Sequence, residues 1–349
     1  MSKLLPDGPL DSLGVRDALL GTPEAVAAAA EAELEVPPSA GVRGMVLVAS
    51  GADSLVVEAA GALVAPWSPV PVFVHHGHGL PAFVSDGWRC IFVSRGPSRE
   101  ALDSLRAAVR HEAVLTAVGS GEVVEAVAEH GGEVVRCTDD VIAPRFSFAS
   151  TLVTTLRLLD GLGVIDAPLG GGGLEEQLDA AVDQLARRRD QLAAADSAAA
   201  RLARRVDRTL PLVYGAGPLG AVAARRWKEQ VNENAKAPAF ASSLPALLHH
   251  ELSGWGQNGD VTRQIFSLVT LHHDHEHPDD HRRWPAVEAL TQEVVHARHE
   301  VRAEGDGPLA QLLDLVLTGD LFSYHLAQDY EIDPGPTAVD ATVDRLLEP

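Results

Sequence analysis

Val213-Tyr214-Gly215-Ala216-Gly217-Pro218-Leu219-Gly220 ends one apolar run and starts a stretch of helical spacing. That stretch carries Arg226-Trp227-Lys228-Glu229-Gln230-Val231-Asn232-Glu233-Asn234-Ala235-Lys236. A short Val-containing strand, a turn with glycines and a helix make up the repeating unit of a parallel α/β sheet. Glycines at such a turn let backbone N–H groups approach an anion at the helix N-terminus. They equally suit a tight turn packed on its own helix, and both readings stand at this level. A dinucleotide fold would add an acidic residue at the end of the next strand, about 20 residues on. The expected strand at 237–241 has none, so NAD is discounted. The polar run 226–236 joins amides, cations and a carboxylate, and reads as a surface turned to a ligand.

The same rhythm extends in both directions. Upstream, apolar runs at 44–49, 70–74, 90–93, 113–118 and 133–137 alternate with helical stretches at 55–63, 98–111 and 122–130. Downstream, strands are expected at 210–214, 237–241 and 265–271. Helices are expected at 219–233, near 245–252, at 284–303 and at 309–328. Short strands separated by helices indicate parallel sheets covered on both faces. The expected fold class is α/β: two domains, each a doubly wound three-layer sandwich. Residues 1–39 form an N-terminal helical arm and 40–169 the first domain. Residues 170–206 connect, with a four-glycine run and a helix through Leu174, Leu178, Val182, Leu185 and Leu192, and 207–349 form the second domain.

A chain of 349 residues fits two domains of ordinary size. Its 46% hydrophobic content fits a globular protein, and a net charge of −21 repels phosphate backbones and anionic lipid. Nucleic acid and membrane are therefore not expected partners. Cys90 and Cys137 show neither metal-ligand spacing nor a disulfide framework, which fits a reducing cytoplasm. The N-terminus has no basic region followed by an apolar run, so no leader is expected. His75-His76-Gly77-His78 and the His-rich segment 271–281 read as loops after strands, and the latter is taken as solvated. No metal site or cofactor is expected.

The run Arg226 to Ala239, followed by His249-His250-Glu251-Leu252-Ser253-Gly254-Trp255, resembles the bifunctional phosphoglucose/phosphomannose isomerase family of sugar isomerase (SIS) domains. The resemblance implies two SIS domains and a homodimer with active sites near the subunit interface. It also implies aldose–ketose isomerisation of a 6-phosphosugar through a cis-enediol. Glu233 matches the base that moves a proton between C1 and C2, work suited to a partly desolvated carboxylate. His249 matches the histidine that assists ring opening, in the family sometimes from the partner subunit. Arg145 matches an arginine that stabilises the enediolate oxygen by its fixed charge. Gly51, Asp53, Arg95, Ser98, Gly215 and Gly217 are the candidate substrate contacts.

The first half departs from the family pattern. Asp53 stands in Ala49-Ser50-Gly51-Ala52-Asp53-Ser54 where the family has a serine, and a carboxylate there repels a phosphate. In Val93-Ser94-Arg95-Gly96-Pro97-Ser98-Arg99-Glu100 the family's hydroxyls give way to Val93 and Arg95. Either the arginines rebuild an anion pocket or the pocket has been lost. Near the C-terminus Leu347 takes the place of a family lysine, and Arg345 would point from a different helix face. Two functions follow: a hexose 6-phosphate isomerase, or a sugar-phosphate-binding SIS protein that no longer turns over.

Overall fold

The computed structural model describes residues 10–36, 41–137, 141–165, 172–337, 339, 343, 345 and 346. The Leu347 position and half of the four-glycine run, residues 170 and 171, lie outside the described residues. The chain divides into two compact units. One is Gly21–Arg187 with Glu304–Asp314; the other is Met1–Leu20, Arg188–Ala303 and Leu315–Pro349. Helix α1 (Val15–Leu20) falls in the second of these and α2 (Thr22–Glu31) in the first.

The first unit is built on β1 (Gly44–Val48), α3 (Ser54–Val64), β2 (Val72–His75), β3 (Trp88–Ser94), α4 (Arg99–Arg110), β4 (Val114–Gly119), α5 (Glu122–Glu129), β5 (Glu133–Arg136) and α6 (Phe148–Gly161). All strand pairings are parallel, in the order β2-β1-β3-β4-β5. β1 is buried at every position and β3 at all but its first, as strands covered on both faces must be. Val46, Val48, Cys90 and Phe92 face Leu105, Val123 and Val127 on α4 and α5. Helices α2 and α3 both pack on α6.

After α7 (Leu174–Leu192), the second unit holds α8 (Ala198–Val206), β6 (Leu210–Ala216), α9 (Gly217–Asn234), β7 (Phe240–Leu244), α10 (Gly259–Ile265), β8 (Phe266–His272), α11 (Pro278–His281), α12 (Trp284–Thr291) and β9 (Ala297–Arg302). The last helix is α13 (Gly307–Asp329). Its sheet is again all parallel, in the order β7-β6-β8-β9. In each sheet the strand order reverses beside the first strand in sequence, at β1/β3 and β6/β8. Loops leaving such a pair diverge, and open α/β sheets bind ligands in the crevice so formed.

Three expectations are corrected. The helix expected over 284–303 ends at Thr291, and Ala297–Arg302 is strand β9. Its Ala297, His299 and Val301 are half-buried while Arg298, Glu300 and Arg302 are exposed, a period of two concealed by polar composition. β7 begins three residues later than expected, because Ser242 and Ser243 pair with β6 although they break the apolar run. The stretch near 245–252 is not a helix but two short 3-10 turns, Ala246–His249 and Leu252–Gly254.

Half of the polar run in α9 turns inward. Val222, Ala223, Arg226, Trp227, Gln230, Val231 and Asn234 recur at spacings of three and four, and all are buried. They face α13. Arg226 donates from Nε and Nη2 to the two carboxylate oxygens of Asp320, at 2.9 and 2.7 Å, with side chains only 3% and 7% exposed. Trp227 Nε1 donates to Leu315 O at 2.8 Å, and its ring stacks on Phe322 at 5.2 Å. Asn234 Nδ2 donates to Ser323 Oγ at 2.9 Å. Gly319 lies under the Trp227 indole, where any Cβ would collide with Nε1. Among the described residues no helix is long and apolar enough to cross a membrane.

Removing one partner of a buried charge pair strands the other. Arg226→Ala should lower unfolding free energy by about 3–5 kcal/mol, whereas the apolar pair Arg226→Met with Asp320→Leu should lose far less. Urea denaturation of both variants checks this.

Candidate active site

In the first unit the loops after β1 and β3 meet at the point where strand order reverses. The β1 loop turns through the 3-10 segment Gly51–Asp53, and Asp53, 6% exposed, reaches across to the β3 loop. There the Arg95 backbone N–H donates to Asp53 Oδ2 at 2.8 Å. The Pro144–Ser147 turn packs against Gly51–Asp53 and carries Arg145, 4% exposed, with its guanidinium 4.4 Å over the Phe146 ring. Gly51, Asp53, Arg95 and the Arg145 turn are thus gathered at one edge of one sheet. Ser98 is placed as a helix cap: its Oγ accepts the Ala101 N–H at 3.1 Å and so starts α4.

Burial pushes the Asp53 carboxyl up to about 6; the Arg95 N–H and the Arg95 charge offset this only in part. The crevice therefore holds a carboxyl that gains or loses its charge at about 6, with Arg95 beside it and the buried Arg145 on the adjoining turn. Such a site admits an anion more readily when the carboxyl is protonated.

The second unit has the same topology and a different filling. Gly215 lies so close to Gly220 that a Cβ would collide with the Gly220 carbonyl, which draws α9 tightly onto β6. Gly217, with φ of 62°, opens α9. Beside this turn the buried His273 ring contacts Ala216 O through Nε2 at 3.1 Å. The His-rich segment is not simply solvated, because His272, His273 and Glu276 are buried. Glu276 receives the Trp284 Nε1–H at 2.9 Å and lies 3.4 Å from His272 Nδ1. Burial works to raise its carboxyl, but the neighbouring His272 imidazole and the Trp284 and His273 N–H donors outweigh it and hold the group at about 2. Among the described residues no group of three or more His, Cys, Asp or Glu side chains is arranged to hold a metal ion.

Glu233 and His249 sit at opposite edges of the second unit. α9 begins at the C-terminal end of β6 and returns along the sheet, so Glu233 in its last turn is roughly 25 Å along the helix axis from Gly217. β7 then runs parallel to β6, and His249 follows its C-terminal end. Glu233 is half-buried and His249 exposed. One copy of the unit does not bring these two side chains together.

Two anchors of the His249 loop carried no assigned role in the sequence. Tyr214, fully buried in β6, donates its hydroxyl to Glu251 Oε1 at 2.5 Å, and Trp255 Nε1 donates to that hydroxyl at 3.4 Å. Burial, with the Glu251 charge, pushes the Tyr214 phenol well above its usual range. The signal available in the sequence was a tyrosine near the end of a strand otherwise buried and apolar.

Residues 195–345 match the model of the bacterial phospho-glucose isomerase C-terminal SIS domain. The bifunctional phosphoglucose/phosphomannose isomerase of Caldicellulosiruptor bescii is 28% identical over 281 residues, covering 80% of this chain and 82% of that protein. The Aquifex aeolicus protein of the same name is 28% identical over 280 residues, covering 80% and 81%. In fold, the chain is similar to the C-terminal domain of glucosamine-fructose-6-phosphate aminotransferase from Francisella tularensis. The TM-score is 0.68 at 15% identity, covering 92% of this chain and 98% of that one. A glucose-6-phosphate isomerase like protein from Thermus thermophilus gives a TM-score of 0.56 at 19% identity, covering 97% and 98%.

The Asp53 carboxyl has a measurable signature. Its folded value lies above the ordinary 3.8, so its protonated form favours folding at low pH, and that contribution is lost as pH rises from about 4 through about 6. Asp53→Asn, which keeps an acceptor for the Arg95 N–H, should match the wild type near pH 4. At pH 7 it should be more stable by about 3 kcal/mol, at about 1.4 kcal/mol for each pH unit between the two values. Urea unfolding across pH 4–8 reads the convergence.

Proposed function

We propose that this chain, a divergent member of the bifunctional phosphoglucose/phosphomannose isomerase family, interconverts glucose 6-phosphate or mannose 6-phosphate with fructose 6-phosphate. The observation that carries this reading is the likeness to those isomerases along four-fifths of the chain, across both units. The reaction shifts hydrogen between C1 and C2 through a cis-enediol and is redox-neutral within the sugar, so it asks for a base, an oxyanion partner and a ring-opening acid. Glu233 is the base, Arg145 the cation that steadies the enediolate oxygen, and His249 the group that exchanges a proton with the ring oxygen. The crevice at Gly51, Asp53, Arg95 and Ser98 takes the sugar phosphate, with Gly215 and Gly217 as further contacts.

The protein acts as a homodimer in this reading, and the partner subunit's His249 completes each site. The separation of Glu233 and His249 to opposite edges of one unit supports it. A cytoplasmic location accords with a sugar-phosphate substrate and with the thiol state of Cys90 and Cys137. A second reading, a sugar-phosphate binder without turnover, is favoured by one feature: the buried carboxyl of Asp53 in the crevice.

A coupled assay on fructose 6-phosphate, run beside thermal-shift titration, separates the two. Wild type should turn over, and Glu233→Gln should lose roughly 100- to 10,000-fold in rate while fructose 6-phosphate still raises its melting temperature. Undiminished turnover in Glu233→Gln removes the base from the scheme. Stabilisation of the wild type by the sugar phosphate with no conversion establishes the binder instead.

A further inference from the structure

We propose that Tyr214 is a positioning residue that holds His249 through Glu251. The inference rests on the reading of His249 given above and deepens it. The segment between β7 and α10 has no regular structure beyond its two short 3-10 turns, so no hydrogen-bond ladder fixes the backbone that carries His249. Its order comes from side chains that reach back to the sheet. Leu247 and Leu252 are buried in one cluster with Tyr214, Leu244 and Trp284. His249 and His250 stand exposed between these two leucines.

The remaining tether is polar. Glu251, two residues beyond His249, accepts the Tyr214 hydroxyl at 2.5 Å, within the range for a hydroxyl bonded to a carboxylate, a bond stronger than a neutral one. Tyr214 lies on β6, which pairs with β7 on one side and β8 on the other; its partners in register are Ser242 and Thr270. The hydroxyl that holds the loop is therefore attached to a doubly paired strand, and Trp255 Nε1 restrains the same oxygen from the far end of the loop. Apolar contacts alone let a loop slide by fractions of an ångström. A short charged hydrogen bond fixes where the residue two positions upstream presents its ring.

The contribution of the hydroxyl is separable from that of the ring. Tyr214→Phe keeps the packing and removes only the donor. Glu251→Gln keeps an oxygen that accepts from Tyr214 and serves as the conservative control. We would measure kcat and KM on fructose 6-phosphate in the full-length protein. The His249 imidazole resonance would also be followed, assigned from the signal missing in His249→Gln. Tyr214→Phe should shift or broaden the His249 signal and lower kcat roughly ten- to hundred-fold with KM changed less than about two-fold, as a displaced catalytic group does. Glu251→Gln should retain the signal and most of kcat. An unchanged His249 signal in Tyr214→Phe overturns the proposal whatever happens to the rate. A shifted signal in Tyr214→Phe beside an unchanged one in Glu251→Ala overturns it too, because the tether needs both partners. If the wild type converts no sugar phosphate, the isomerase reading fails, and the resonance alone decides the tether.

Discussion

The Arg226–Asp320 pair is the contact on which the second unit depends. Two charges almost wholly removed from water are tolerable only with good geometry, and here the guanidinium meets both carboxylate oxygens. With Trp227 on Leu315 and Asn234 on Ser323, the pair fixes how α9 is rotated against α13. Rotation decides everything on the opposite side of the helix. Because Arg226, Trp227, Gln230 and Asn234 point inward, Lys228, Glu229, Asn232 and Glu233 are left partly exposed. The buried lock determines which way the candidate base can face.

A second constraint comes from the parallel sheet. A crossover helix must return from the C-terminal end of one strand to the N-terminal end of the next. Glu233 ends such a helix and His249 follows the next strand, so they cannot share an edge within one unit. The same constraint explains why Gly215 and Gly217 lie at the edge of His249 rather than that of Glu233. Chain path, not side-chain chemistry, keeps Glu233 and His249 apart within one copy of the unit.

Two crevices of like topology have been given different contents. In the first unit a carboxyl with a raised affinity for its proton bridges the loops after β1 and β3, with Arg95 beside it. In the second, His273 and the His272–Glu276–Trp284 cluster occupy the corresponding place. A carboxyl that can take up a proton beside a buried cation suits anion handling. An imidazole seated on a backbone carbonyl under a packed turn suits a structural wedge.

Much of the fold was legible because the strands that carry it are apolar on both faces. Gly44–Val48, Trp88–Ser94 and Leu210–Ala216 stand out as short buried runs followed by glycine-containing turns or caps, and their order implies parallel sheets. β9 was hidden because an edge strand can alternate Arg, Glu and His with small or apolar residues, and that composition resembles a helix surface. The burial of Arg226, His272, His273 and Glu276 was not legible either. Polar side chains go inside only when partners meet them, and those partners, Asp320, Ala216 and Trp284, lie far away or across a turn in sequence. The sequence by itself determined the alternation of strand and helix, since local periodicity needs no third dimension, and its resemblance to a family motif is what put forward Glu233, His249 and Arg145 as candidates. Only the tertiary structure decided which polar groups are locked in the interior and which edge each candidate occupies, because both depend on contacts between segments that the chain brings together only when it folds.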